Sequence, residues 1–233
     1  MRLKLFILLF CIVAIVISYF YAPLVYYTYL KLYYQKICKI DEVAFTNKVK
    51  DLYLSKQYDV LQQYLEHGAV LYPANKTIKK YNGLYLIDNG DVRGAFILIA
   101  LDAIPDDANT LEKIITVLDD NKSYQELLMI VHKKGIKTAT IEFLYGKALC
   151  ATGIYHQALS HLKKAYTHGI VEADYYIGMC YHHLRDYNNA LIWYKKALAR
   201  KPGTVEYIKS IATVYQQKGD YTSSTKYIMR LQH

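Results

Sequence analysis

Hydrophobic and polar positions divide the chain into two regimes. From Leu5 to Leu30 there are 26 consecutive residues without a charge, LFILLFCIVAIVISYFYAPLVYYTYL, whereas beyond Asp41 apolar residues recur with a helical period among charged ones. A helix over the first stretch would span about 39 Å at ~1.5 Å per residue, more than the roughly 30 Å of a hydrocarbon core. The run therefore predicts a single transmembrane helix. Tyr19, Tyr21, Tyr26, Tyr27 and Tyr29 crowd its second half and Tyr33 and Tyr34 follow, as suits a membrane–water interface. In the second regime only Pro73, Pro105 and Pro202 break the helical pattern.

The most regular stretch is Val171–Gly203, VEADYYIGMCYHHLRDYNNALIWYKKALARKPG. Read as two amphipathic helices joined at Arg185-Asp186, it places Gly178 and Ala190 where the helices cross. Tyr181, Tyr187 and Tyr194 then fill the space beside them. Counted from Val171, Gly178, Ala190, Ala197 and Pro202 fall at places 8, 20, 27 and 32. The unit resembles a tetratricopeptide (TPR) repeat, whose 34-residue pattern has small residues at the first three of those places and proline at the last. It departs from that pattern at Asp174, where the family favours tryptophan.

Projected along the chain, the unit marks the start of a second helix at Tyr58, Val92, Tyr124, Tyr155, Tyr187 and Tyr221, with gaps of 34, 32, 31, 32 and 34 residues. Six helical hairpins follow. The fourth keeps Gly146, Ala158 and Ala165, the second keeps Gly83 and Ala95, and the sixth keeps Ala212; the first and third keep only apolar period and a turn. Asn89-Gly90, Thr152-Gly153 and Lys218-Gly219-Asp220 supply turn residues. Asp59–Val70 looks like an ankyrin second helix, but no TPLH turn precedes it.

The formal charge is +9, and residues 1–40 hold Arg2, Lys4, Lys31, Lys36 and Lys39 with no acid. Beyond them, 24 basic residues face 20 acidic ones, so much of the excess flanks the apolar run and no basic-aromatic signature of nucleic-acid binding appears. A cleaved signal peptide is the rival to an anchor, yet the small-x-small pattern is missing at Phe20-Tyr21-Ala22. The lysines after the run favour a cytoplasmic repeat domain, while short charged N-termini often stay inside and send the rest out.

Cys11, Cys38, Cys150 and Cys180 form no CxxC pair; Cys11 lies in the apolar run, and Cys150 and Cys180 read as buried thiols on core-facing helices, with a Cys150–Cys180 bridge open in an oxidising compartment. His182 and His183 point about 100° apart on a helix, and His156 and His161 are five apart; neither pair has the i, i+4 spacing of a zinc site. No GxSxG, P-loop or HExxH motif is present, so neither cofactor nor metal is expected.

The resemblance implies a concave face built from the first helix of each pair, with peptide-binding side chains at places 2, 5, 9, 12 and 13. Carried over, these include Lys80, Lys147, Tyr175, Met179, His182, His183, Lys209 and Gln216, with Leu84, Ile87 and Phe143 at further such places. Met179 and Lys147 stand where a clamp for acidic chaperone tails would want asparagine, so that ligand is not expected.

The whole reads as an all-α chain. An N-terminal transmembrane helix (1–30) and a basic juxtamembrane linker (31–41) precede a right-handed TPR-like α-solenoid of about six hairpins (42–233, clearest over 138–233). The expected function is a non-enzymatic scaffold in a plasma or bacterial inner membrane, holding a protein or peptide and contacting the bilayer through residues 5–30. The alternatives are a secreted or surface repeat protein with its first segment removed, and a metal-dependent enzyme built on the histidines.

Overall fold

The computed structural model describes residues 21–231. The first sixteen positions of the apolar run Leu5–Leu30 lie outside the described residues, and no described helix is long and apolar enough to cross a membrane. The chain divides into two compact units, Met1–Ala103 and Ile104–His233.

In the first unit a helix over residues 21–31 runs into a π-helical turn, Leu32–Ile37. Four helices follow: α1 (Glu42–Leu54), α2 (Tyr58–Leu71), α3 (Lys76–Asp88) and α4 (Arg93–Ala100). Residues 31–41, read above as a linker, are thus helical as far as Ile37. The tyrosines there do not all behave as an interfacial belt. Leu30 and Tyr34 are buried in the core that α1 and α2 build from Phe45, Val49, Leu61 and Leu65. The Tyr34 ring meets Phe45 edge-on at 5.0 Å, and its hydroxyl lies 2.6 Å from His67 Nδ1. Burial holds the His67 imidazole below its ordinary pKa, favouring the neutral ring.

The second unit contains α5 (Ala108–Asp120), α6 (Tyr124–Lys134), α7 (Ala139–Ala151), α8 (Tyr155–Thr167), α9 (Ala173–His183), α10 (Tyr187–Arg200), α11 (Val205–Gln217) and α12 (Tyr221–Met229). The described helices from α1 on form six antiparallel hairpins. Five of the projected second helices begin on the tyrosine that marks them, and Val92 is the N-cap of α4. Several first helices are stopped at their N-termini by side chains that take an orphan amide: Asp41 from Ala44, Asn75 from Ile78, Asp107 from Thr110 and Thr138 from Ile141.

Every hairpin turns in the same way. Two residues before each marked position the backbone is left-handed: Lys56, Gly90, Lys122, Gly153, Arg185 and Gly219 have φ between 56° and 84°. The next amide then reaches back to a carbonyl five residues earlier, as from Asp186 to Tyr181 at 2.9 Å and from Ile154 to Leu149 at 2.8 Å. This is the Schellman closure of a helix, for which glycine is the unstrained residue. Arg185 bears a Cβ there at φ 62°. Arg185→Gly is therefore expected to stabilise the protein by about 0.5–1 kcal/mol in denaturant titration; a lower midpoint than the parent would contradict this.

Inside the hairpins the helices approach through small residues. A Cβ on Gly178 would stand 2.6 Å from the Tyr194 ring, and one on Gly146 would stand 2.8 Å from Leu162. A still closer approach joins α3 and α4, where a Cβ on Gly94 would meet the Gly83 carbonyl oxygen. Ala95, Ala158, Ala165, Ala190, Ala197 and Ala212 are likewise buried, while Pro202 is exposed in the turn before α11.

Candidate peptide-binding face

In the second unit the first helices α5, α7, α9 and α11 lie side by side, and their contacts define a face. Lys147 on α7 donates to Asp119 Oδ2 on α5 at 2.6 Å, and its ammonium sits 5.6 Å from the centroid of the Tyr176 ring on α9. Burial is the strongest single influence and works against this cation, but the bond to Asp119 together with the nearby Tyr176, Asp119 and Tyr124 groups outweighs it, leaving the Lys147 pKa above the usual lysine value. On the next step Tyr175 donates to Glu206 Oε1 on α11 at 2.9 Å, and His182 Nε2 lies 2.7 Å from Gln217 Oε1.

Two pockets open on this face. One, of about 360 Å³, is lined by Asp119, Asp120, Lys122, Tyr124, Lys147, Cys150, Ala151, Tyr176 and Met179. The other, of about 450 Å³, is lined by His182, Val205, Glu206, Lys209, Ser210 and Thr213. Met179 and His182 are half-buried, and His183, Lys209 and Gln216 are exposed. His183 stacks flat on Tyr155 at 4.6 Å; burial first, and His182 second, lower its pKa. Among the described residues no three His, Cys, Asp or Glu side chains come together as a metal site.

The expected groove residues do not all reach the open surface. Tyr175 is only 8% exposed, packed in the core against Ala190, Tyr194 and Ile208 and stacked on Tyr207 at 4.8 Å. It shapes the face from beneath. Leu84 and Ile87 are core residues of the first unit, where Lys80 is half-buried on α3. Cys150 and Cys180 are free, buried thiols in one apolar cluster, with Cys150 at the wall of the first pocket.

No protein-family model and no curated protein matches the chain. Solved structures do. MamA from Desulfovibrio magneticus RS-1 superposes with a TM-score of 0.57 at 15% identity, over 67% of this chain and 93% of that one. YrrB, a TPR protein with an unusual peptide-binding site, superposes at 0.55 with 18% identity, over 72% and 90%. PilF from Pseudomonas aeruginosa gives 0.50 at 11% identity, over 81% and 89%. The fold is a TPR-like helical repeat.

TPR-like numbering places Asp119 and Glu142, which the sequence alone did not single out, and sets Glu142 beside Asp174. Asp119 stands at place 12 of the third repeat, on the same row as His182 and Gln216. Glu142 and Asp174 both stand at place 4, the tryptophan place, and both are buried acids, 4% and 1% exposed. Glu142 is met by His161 Nδ1 at 2.9 Å and Lys164 Nζ at 3.4 Å; Asp174 is paired with Arg200 and accepts the Tyr175 amide at 2.7 Å. The place that a large aromatic ring fills in the family thus carries, in two consecutive repeats, a buried carboxylate reached by a cation from the second helix.

Proposed function

We propose that the chain is a non-catalytic, membrane-tethered TPR-like scaffold that holds a peptide segment of a partner protein on the first-helix face of its second unit. The observation that carries this reading is the row of pockets between α5, α7, α9 and α11, where Lys147, Tyr176, Met179, His182 and Lys209 combine aromatic, aliphatic and basic character. Such a surface suits an extended or helical segment with some acidic character. The tether rests on the 26 uncharged residues Leu5–Leu30. Holding a partner beside a membrane raises its effective concentration toward other membrane components without chemistry of the scaffold's own. The juxtamembrane lysines favour a cytoplasmic repeat domain.

The test is affinity capture from a detergent extract, with Met179→Glu plus Lys209→Glu as the comparison. The double variant is expected to lose about tenfold or more of the captured partner while its circular dichroism matches the parent. Equal capture by both would overturn the face as the binding site, and a chain that leaves the membrane fraction without detergent would overturn the tether.

A further inference from the structure

The pocket between α5, α7 and α9 has an incompletely bonded carboxylate at its floor. Asp119 is 6% exposed; Lys147 serves its Oδ2, while Oδ1 is buried with no hydrogen-bond partner. A buried oxygen without a donor is costly, and a carboxylate has room for several. Lys147 has donors to spare, since an ammonium carries three and Asp119 takes one. Tyr176 and Met179, both half-buried, line the same pocket.

Charge narrows what fits. A cation would confront the Lys147 ammonium, already fixed on the same carboxylate. An anion would confront Asp119 itself, while at the exposed rim Asp120 and Lys122 offset each other. A neutral group carrying an N–H beside a C=O answers both: the N–H completes Asp119, and the carbonyl takes a Lys147 donor. Burial narrows it further: the Lys147 and Asp119 side chains are 23% and 6% exposed, and a slender side chain approaches such groups more easily than a peptide main chain. We propose that this pocket binds the side-chain amide of a glutamine on a partner peptide, its NH2 on Asp119 and its carbonyl on Lys147. The two methylenes of glutamine lie along Tyr176 and Met179, and the Asp119 carboxylate turns about its soft terminal torsion to present Oδ1. The assignment rests on the first-helix face being a peptide-binding face, and names the chemistry of one subsite on it.

The experiment uses the full chain in detergent micelles with carbon-13-labelled methionine methyl groups, the Met179 signal being assigned by its loss in Met179→Leu. The probes are N-acetylglutamine N-methylamide and its glutamate, lysine and norleucine analogues, which share the same main-chain amides. A saturable shift of the Met179 methyl is expected with the glutamine probe, at least tenfold weaker with each analogue. Asp119→Leu and Lys147→Met, each checked for parent-like circular dichroism, are expected to abolish it. Equal response to all four probes, or no saturable response at tens of millimolar, would overturn the amide site. So would a glutamine response that survives in Lys147→Met. Partner capture that is lost in Met179→Glu plus Lys209→Glu but unchanged in Asp119→Leu would remove the amide subsite and leave the peptide-binding face standing.

Discussion

A glutamate in place of Ala190 is expected to unfold the fifth hairpin and lower the melting temperature by about 10 °C or more. Ala190 is wholly buried on α10, in the cluster that also holds Tyr194 and Leu191. The space beside it is already full, since even a methyl on Gly178 across the crossing would stand 2.6 Å from the Tyr194 ring. Glutamate brings extra volume, which alone costs about 1–3 kcal/mol in a packed core, and a carboxylate that must lose its water with no donor arranged to meet it. Ala199 supplies the control, because it is exposed on the same helix. Ala199→Glu is expected to move the transition by no more than a degree or two. Matching melting curves for the two variants would show that α9 and α10 do not cross at Ala190.

The same crossing explains why the hairpins were readable in the sequence. Gly178, Ala190 and Ala197 can hold their places only if two helices meet there, and that requirement repeats every 31 to 34 residues. The turns were only half readable. Gly90, Gly153 and Gly219 advertise a left-handed residue, but Lys56, Lys122 and Arg185 occupy the same place in the other hairpins with φ of 56°, 58° and 62°. Nothing local in a lysine or arginine signals that conformation; the packed helices on either side impose it. Gly94 escaped for a related reason. It lies one place before Ala95, and its role appears only when α3 brings the Gly83 carbonyl against it.

Residues 26–34 show the opposite ambiguity. A tyrosine suits an interface between oil and water and a core edge equally well, because it is an apolar ring with one polar atom. Sequence favoured the membrane; in the fold, Tyr34 lies against Phe45 with its hydroxyl at His67, and Leu30 is buried beside it. The candidate site suffered from the same limit. Tyr175 occupies a binding place by number, yet its ring is long enough to fall back into the core, where Tyr207 and Tyr194 flank it. Asp119 was passed over because the third repeat has lost its small residues. The mark at Tyr124 alone was enough to number it.

The buried acid at Asp174 gives a second large effect. Arg200→Met is expected to cost about 3–5 kcal/mol, because it leaves a carboxylate that is 2% exposed without its cation. Asp174→Leu is expected to cost less. The Arg200 side chain is already 34% exposed and is free to turn into water, although the Tyr175 amide loses the acceptor it has at 2.7 Å. The double variant, Asp174→Leu with Arg200→Met, is therefore expected to be more stable than Arg200→Met alone, since an apolar pair removes the stranded charge. Chemical denaturation of the four proteins reads the coupling directly, and strictly additive changes would show that the two side chains do not act as a pair. The physical reason to keep such a pair is orientation. Asp174 fixes the Tyr175 amide near the start of α9 and draws the end of α10 to it, and α9 is the helix that carries Tyr176, Met179 and His182 to the face. A tryptophan at place 4 fills volume; a carboxylate that accepts an amide on one oxygen and pairs with a cation on the other also sets an angle, and the side chains of α9 inherit it.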